Sequence, residues 1–208
     1  MKKEWTMESA SVMPVIALRG LTVFPNVLIH FDVAREISIK ALEEAMSSGS
    51  PVFLVGQKDI SEERPEEKDL YTVGTISNVR QILRTPGDNV RVMVEGVSRG
   101  SLERLTRTGP YLEQHERNSA KAEALIRSTY ELFQQYTELA PKTAPDLLIN
   151  VLASEDPGYI ADFIAQNIAM RNSDKQAVLE ELRPVRRLER LHRLLGREVE
   201  ILGLDMEI

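Results

Sequence analysis

The sequence contains no cysteine. That excludes disulfides, thiolate zinc sites and cysteine nucleophiles, and it suits a reducing compartment. Histidine is scarce: His30, His115 and His192 are the three present, and no two stand at metal-ligand spacing. No apolar run approaches the roughly 20 residues that span a bilayer. The opening MKKEWTMESASVMPVIAL carries Glu4 and Glu8, and its short apolar run is broken by Pro14. It does not read as a secretory signal. Also missing are a Gly-x-x-x-x-Gly-Lys phosphate loop and a Gly-x-Ser-x-Gly elbow. The carboxylate pairs Glu43–Glu44, Glu62–Glu63 and Glu180–Glu181 are adjacent in sequence, so on a helix they diverge rather than converge on a substrate. Net charge is −6, which disfavours a general nucleic-acid role. These absences point to a binding or structural module.

What is present divides into two halves. Up to about residue 115 the hydrophobic period is two. Met13 to Leu18 reads as a strand. Val27, Ile29, Phe31 and Val33 alternate with Leu28, His30 and Asp32. Arg35 to Ser48 switches to helical spacing, with Ile37, Ala41, Leu42 and Ala45 on one face and Gly49 as the stop. PVFLVG (51–56) fits a buried strand. The acidic stretch 59–69 reads as a solvated, mobile loop; its carboxylates lack a known cation-loop spacing. A hairpin follows around the turn at 86–89, with Val90, Val92 and Val94 inward and its arginines outward. A parity change in its first strand predicts a bulge near Ser77–Asn78. Gly96 and Gly100 punctuate the exit into a further strand, Ser101 to Thr106.

Beyond Asn118 the period becomes 3.6. Ala122, Leu125, Ile126, Thr129, Leu132, Phe133 and Tyr136 form one stripe. Pro145 can open a second helix. Asp156 reads as an N-cap with Pro157 at the first helical position. Ser173 to Gln176 has the form of a capping box. Pro184 opens a long last helix, where Val185, Leu188, Leu191, Leu195, Val199, Leu202 and Met206 recur every three or four residues. Arg183, Arg186, Arg187, Arg190, Arg193 and Arg197 crowd its start. They read as a solvated face paired with glutamates, or as a basic stripe for nucleic acid or an acidic partner helix. No aromatics interleave with them to stack on single strands.

MPVIALRGLTVFPN resembles the opening signature of the Lon N-terminal domain family. The hairpin around VGTI, Gln81 and RVMVEGVSRG is similar to that family's second signature. DPGYIADFIAQNI, DKQAVLEEL and RLERLHRLLGREVEILGLDMEI follow in the order of its helical segment. The resemblance runs from Met13 to Ile208. It implies an α+β fold: an antiparallel, partly closed β-sheet lobe (a pseudo-barrel with one helix), then a C-terminal helical bundle ending in a long helix. The implied boundaries are a flexible N-terminus at 1–12, a β-rich domain at 13–116 and a helical subdomain at 117–208. The chain departs from the family after Tyr111, where the expected strand and spacer give way almost directly to helix.

The resemblance implies the substrate-recognition and assembly region of an ATP-dependent serine protease that degrades misfolded, damaged and short-lived regulatory proteins. The ATPase module, with its ATP and Mg, and a Ser-Lys dyad are expected outside this chain, past a last helix that runs on. No catalytic, cofactor or metal residue is expected within it. The implied partners are unfolded or damaged proteins, with self-association in a homohexamer or a weak dimer of this region. The implied setting is the cytoplasm, away from membrane and nucleic acid. Leu21, Phe24 and Pro25 are candidate substrate contacts, because unfolded chains expose apolar segments; the alternative is that they close the sheet as core. A free-standing adaptor without protease modules is the other functional reading.

Overall fold

The computed structural model describes residues 13–87, 89–104, 107–110, 120–140, 149 and 151–207. The chain divides into two compact units, Met1–Leu112 and Glu113–Ile208. The boundary expected at 116/117 and the departure after Tyr111 fall outside the described residues.

The first unit is built on strands β1 (Val15–Leu18), β2 (Leu28–Val33), β3 (Val52–Gly56), β4 (Val73–Arg84), β5 (Val90–Arg104) and β6 (Arg107–Pro110), with helix α1 (Glu36–Ser48). The order across the sheet is β1-β3-β4-β5-β2, and β6 also pairs with β5. The pairings are antiparallel except β1 with β3, which is parallel. β3 is buried along its whole length. Its alternate side chains serve two cores: Val52 and Leu54 join Ile16, Leu18, Leu42, Val92 and Val94, while Phe53 and Val55 join Leu70, Ile76 and Leu102. A strand buried on both faces needs no polar alternation, which is why PVFLVG is continuously apolar. Each fully buried Val or Leu stabilises by ~1.5–3 kcal/mol.

The expected bulge is present as register shifts at Ile76/Ser77 and at Val79/Gln81. They let a twelve-residue strand bend along its partner. The strand expected to begin at Ser101 is not separate, because β5 continues through Gly96 and Gly100 to Arg104. Gly96 serves a close approach instead. Its amide donates to the Val27 carbonyl (2.9 Å) and its carbonyl accepts from the Asn26 amide (2.9 Å). A Cβ there would stand 2.1 Å from the Phe24 carbonyl oxygen. The arginines on the hairpin do not share one fate. Arg80, Arg84 and Arg91 face Glu95, Glu43 and Asp32 in half-exposed ion pairs. Arg99 is fully buried.

Helix α1 ends as its sequence predicts, at Gly49 in the left-handed region (φ 67°), whose amide donates to Ala45. Its buried face is rotated from the expected one. Ile37 is 79% exposed, and Ser38 takes the inward position beside Leu42 and Ala45. The acidic segment is exposed but tied down. The Glu62 carbonyl accepts from Arg19 (3.2 Å), Arg35 (3.3 Å) and Gln57. A 3-10 turn at Glu67–Asp69 carries a reciprocal capping box with Glu66.

The second unit holds α2 (Ala120–Leu139), α3 (Pro157–Asn167), α4 (Asn172–Glu180) and α5 (Pro184–Glu207). The helix expected from Pro145 lies mostly outside the described residues; Ile149, Val151 and Leu152 are helical. α2 and α3 pack on α5 through Ile126, Phe133, Ile160, Ile164, Leu188, Leu191 and Leu195. Asp156 caps α3 by accepting from Gly158 (2.8 Å) and Tyr159 (3.2 Å). The expected capping box at Ser173 does not form. α4 starts at Asn172 after Arg171, so Ser173 lies inside the helix and Asp174 pairs with Arg171 (3.0 Å). The arginines of α5 also separate. Arg187 is fully buried and donates to Asp162 (3.2 Å) and to the Glu181 carbonyl (2.7 Å). Arg190 donates to the Ala177 carbonyl (2.9 Å). Neither belongs to a free basic stripe.

Candidate functional site

The two end strands of the sheet, β1 and β2, line one cavity of about 330 Å³. Strands at opposite ends of the order share a cavity only if the sheet curls back on itself. Among the described residues β1 pairs with β3 alone and β2 with β5 alone. The cavity therefore occupies the seam where a closed barrel would have its last ladder.

Its walls are apolar: Ile16, Leu18 and Leu21 on one side, Phe31 and Val33 on the other. The period-two pattern of β2 explains the second wall, since Phe31 and Val33 point inward while His30 and Asp32 are exposed. The rim is charged. Arg19 and Arg35 lie there, with Asp32 opposite. Asp32 is taken up by Arg91, whose guanidinium donates at 2.8 and 3.0 Å and holds the carboxyl below its usual range. Arg35 is pinned by Gln57, which is nearly fully buried, at 2.7 Å. Burial pulls its pKa down, and the Arg19 charge adds to the shift. The floor includes Ser38, in the first turn of α1 and 6% exposed.

Of the residues expected to touch substrate, Leu21 lines this cavity. Phe24 and Pro25 do not. Phe24 is fully buried and Pro25 is buried, so both are interior groups with no face for a ligand. The sequence signal in RGLTVFPN thus mixes one cavity residue with two packing residues. The spacing does not mark Arg35 or Ser38: Arg35 precedes the first turn of α1, and Ser38 takes the inward position that the helical stripe assigns to Ile37. His192 is half-buried and hydrogen-bonded to the Thr129 hydroxyl (3.1 Å). His30 is exposed on β2, and His115 lies outside the described residues. No helix among the described residues is long and apolar enough to cross a membrane.

Comparison with known proteins agrees with this architecture. Residues 12–197 match the family model of the ATP-dependent protease La (LON) substrate-binding domain. A Lon protease from Desulforamulus reducens is 39% identical over 204 residues, covering 94% of this chain and 25% of that protein. A Lon protease from Heliobacterium modesticaldum is 36% identical over 214 residues, covering 100% of this chain and 26% of that protein. The chain thus spans about a quarter of the length of these relatives. Among solved structures, the N-terminal domain of Mycobacterium avium complex Lon protease matches with a TM-score of 0.68 at 17% identity, covering 91% of this chain and 98% of that one. The Lon N-terminal domain protein of Xanthomonas campestris matches with a TM-score of 0.59 at 12% identity, covering 87% and 96%. At such identities these two structures speak for the fold alone. With the family model matched along most of its length, the chain belongs to the Lon substrate-binding domain family.

Proposed function

We propose that this chain recognises unfolded or damaged protein for an ATP-dependent serine protease acting in the cytoplasm, and that the seam cavity is where an extended segment is held. The observation that carries the reading is the apolar-walled opening between two sheet ends in a member of a substrate-binding family. An extended chain can lay apolar side chains into such an opening while its backbone meets a free strand edge. The catalytic work belongs to ATPase and Ser-Lys modules elsewhere in the parent protein, with ATP and Mg bound there. The test is fluorescence anisotropy of a labelled, permanently unfolded model protein titrated with the 208-residue chain. Binding is expected, and Leu21→Asp at the cavity wall is expected to weaken it at least fivefold. Unchanged binding in a folded Leu21→Asp variant removes the cavity from the reading.

An assembly role is a second reading, favoured by one observation. Near the end of α5, Ile201 is 45% and Leu204 61% exposed, on a helix whose earlier turns bury their leucines. Apolar groups left outward on a helix face suit contact with another subunit of a homohexamer, or a weak dimer of this region. Sedimentation of the chain with Ile201→Ser and Leu204→Ser tests it: self-association that survives both changes refutes this surface.

A further inference from the structure

The seam cavity has a feature that capture of apolar segments does not use. Its rim holds two guanidiniums, Arg19 and Arg35, and neither has a carboxylate within ion-pairing distance among the described residues. Their recorded partners are neutral: the Glu62 carbonyl and the Gln57 side chain. Arg35 is also the N-cap of α1, in extended conformation, and no side chain caps the helix. The first-turn amides of a thirteen-residue helix are therefore available, and they carry the positive end of its dipole. Ser38 is a separate observation. The residue is 6% exposed and lines the cavity, and among the described residues no hydrogen bond engages its hydroxyl, which is open to the cavity as a donor. Four carboxylates lie nearby: Asp32 is held by Arg91, Glu36 in the first turn of α1 by Lys40, and Glu62 and Glu63 act on Arg35 through their charge without an ion pair.

An anion placed here meets two cations, helix amides and a hydroxyl donor. Leu18, Leu21 and Phe31 line the same cavity. A phosphate or an internal Asp side chain would satisfy the donors and leave those apolar walls unused. Within a polypeptide, the group that joins a carboxylate to an apolar side chain on the same carbon is the last residue. We propose that the cavity binds the free C-terminal carboxylate of an extended polypeptide whose last side chain is apolar. The carboxylate sits between Arg19, Arg35 and the start of α1, hydrogen-bonded to Ser38, and the terminal side chain fills the cavity. This rests on the polypeptide-binding reading above and names the chain end that the site selects.

The test is anisotropy with the unmodified 208-residue chain and three fluorescein-labelled decapeptides. One ends in Leu as the free acid, one is the same peptide amidated, and one is amidated with an internal Asp three residues from the end. The free acid is expected to bind at least tenfold more tightly than either amide. Arg19→Gln, at an exposed side chain, and Ser38→Ala are each expected to erase that difference while leaving the thermal transition unchanged. Equal binding of acid and amide, or of acid and internal-Asp peptide, overturns the inference. Absence of peptide binding beside intact binding of an unfolded model protein overturns it too, and leaves the broader reading standing. Loss of binding to all four ligands overturns both.

Discussion

Arg187 and Asp162 provide the sharpest test of how the helical unit is held together. Both side chains are withdrawn from water, at 0% and 4% exposure, and their ion pair measures 3.2 Å. Arg187 also donates to the Glu181 and Leu182 carbonyls, at 2.7 and 3.4 Å, so one guanidinium ties α5 to α3 and to the loop before it. Asp162→Ala leaves a buried guanidinium without its counter-charge. Removing one partner of a buried pair costs about 3–5 kcal/mol. For a unit of roughly 100 residues, each kcal/mol lowers the melting temperature by about 4–8 °C. The helical unit is therefore expected to melt at least about 12 °C lower. Circular dichroism at 222 nm follows this, because helix α1 is the sole long helix of the other unit among the described residues. The paired change Asp162→Leu with Arg187→Met removes both charges, and it is expected to recover most of the loss, since apolar replacement of a whole pair is often neutral or better. A drop of less than about 1 kcal/mol in Asp162→Ala would refute the burial of an obligatory ion pair.

Three further outcomes follow from other parts of the fold. Gly96→Ala forces a methyl group against the Phe24 carbonyl oxygen, at a backbone position that must shift to admit it; a loss of at least about 2 kcal/mol is expected by urea denaturation of the sheet unit, on the scale of overpacking. Phe24→Ala opens a cavity at a fully buried side chain and is expected to cost about 3–5 kcal/mol while leaving peptide affinity unchanged once the variant is folded, measured by denaturation and anisotropy together. The His192 pKa lies below 6.5 because burial, and then Arg193, disfavour its charged form. The unfolded state then binds protons first, so this contribution is whole above pH about 6.5 and is lost as pH falls below it toward the folded value; His192→Gln is expected to flatten the stability curve between pH 7 and 5, and an unchanged slope would count against the buried neutral ring.

Most of the elements can be read from the chain alone. Strands β2 and β3, the bulge in β4, the stop of α1 at Gly49 and the cap of α3 at Asp156 were legible because each rests on local chemistry: side-chain alternation, a parity change, a left-handed glycine, a carboxylate over free amides. Local chemistry also misled where tertiary contacts outweighed it. Ser173 has a capping pattern, yet α4 begins before it and its Asp174 serves Arg171. Ile37 fits a helical stripe, but the side of α1 facing the sheet places Ser38 inward. Arg99 and Arg187 look like neighbours of solvated arginines, and only folding withdraws them from water. The seam cavity was invisible in the same sense. Leu21 reads as a candidate contact, but Phe31 reads as an ordinary apolar position, and Arg19, Arg35 and Ser38 as ordinary polar ones. Their meeting depends on the two ends of the sheet curling together, a long-range event set by the parallel β1–β3 pairing and the bent β4–β5 hairpin. Periodicity acts between residues a few positions apart and can state which side chains turn inward. Which inward side chains share a cavity, and which charges face one another across it, is decided by contacts between strands far apart in the chain.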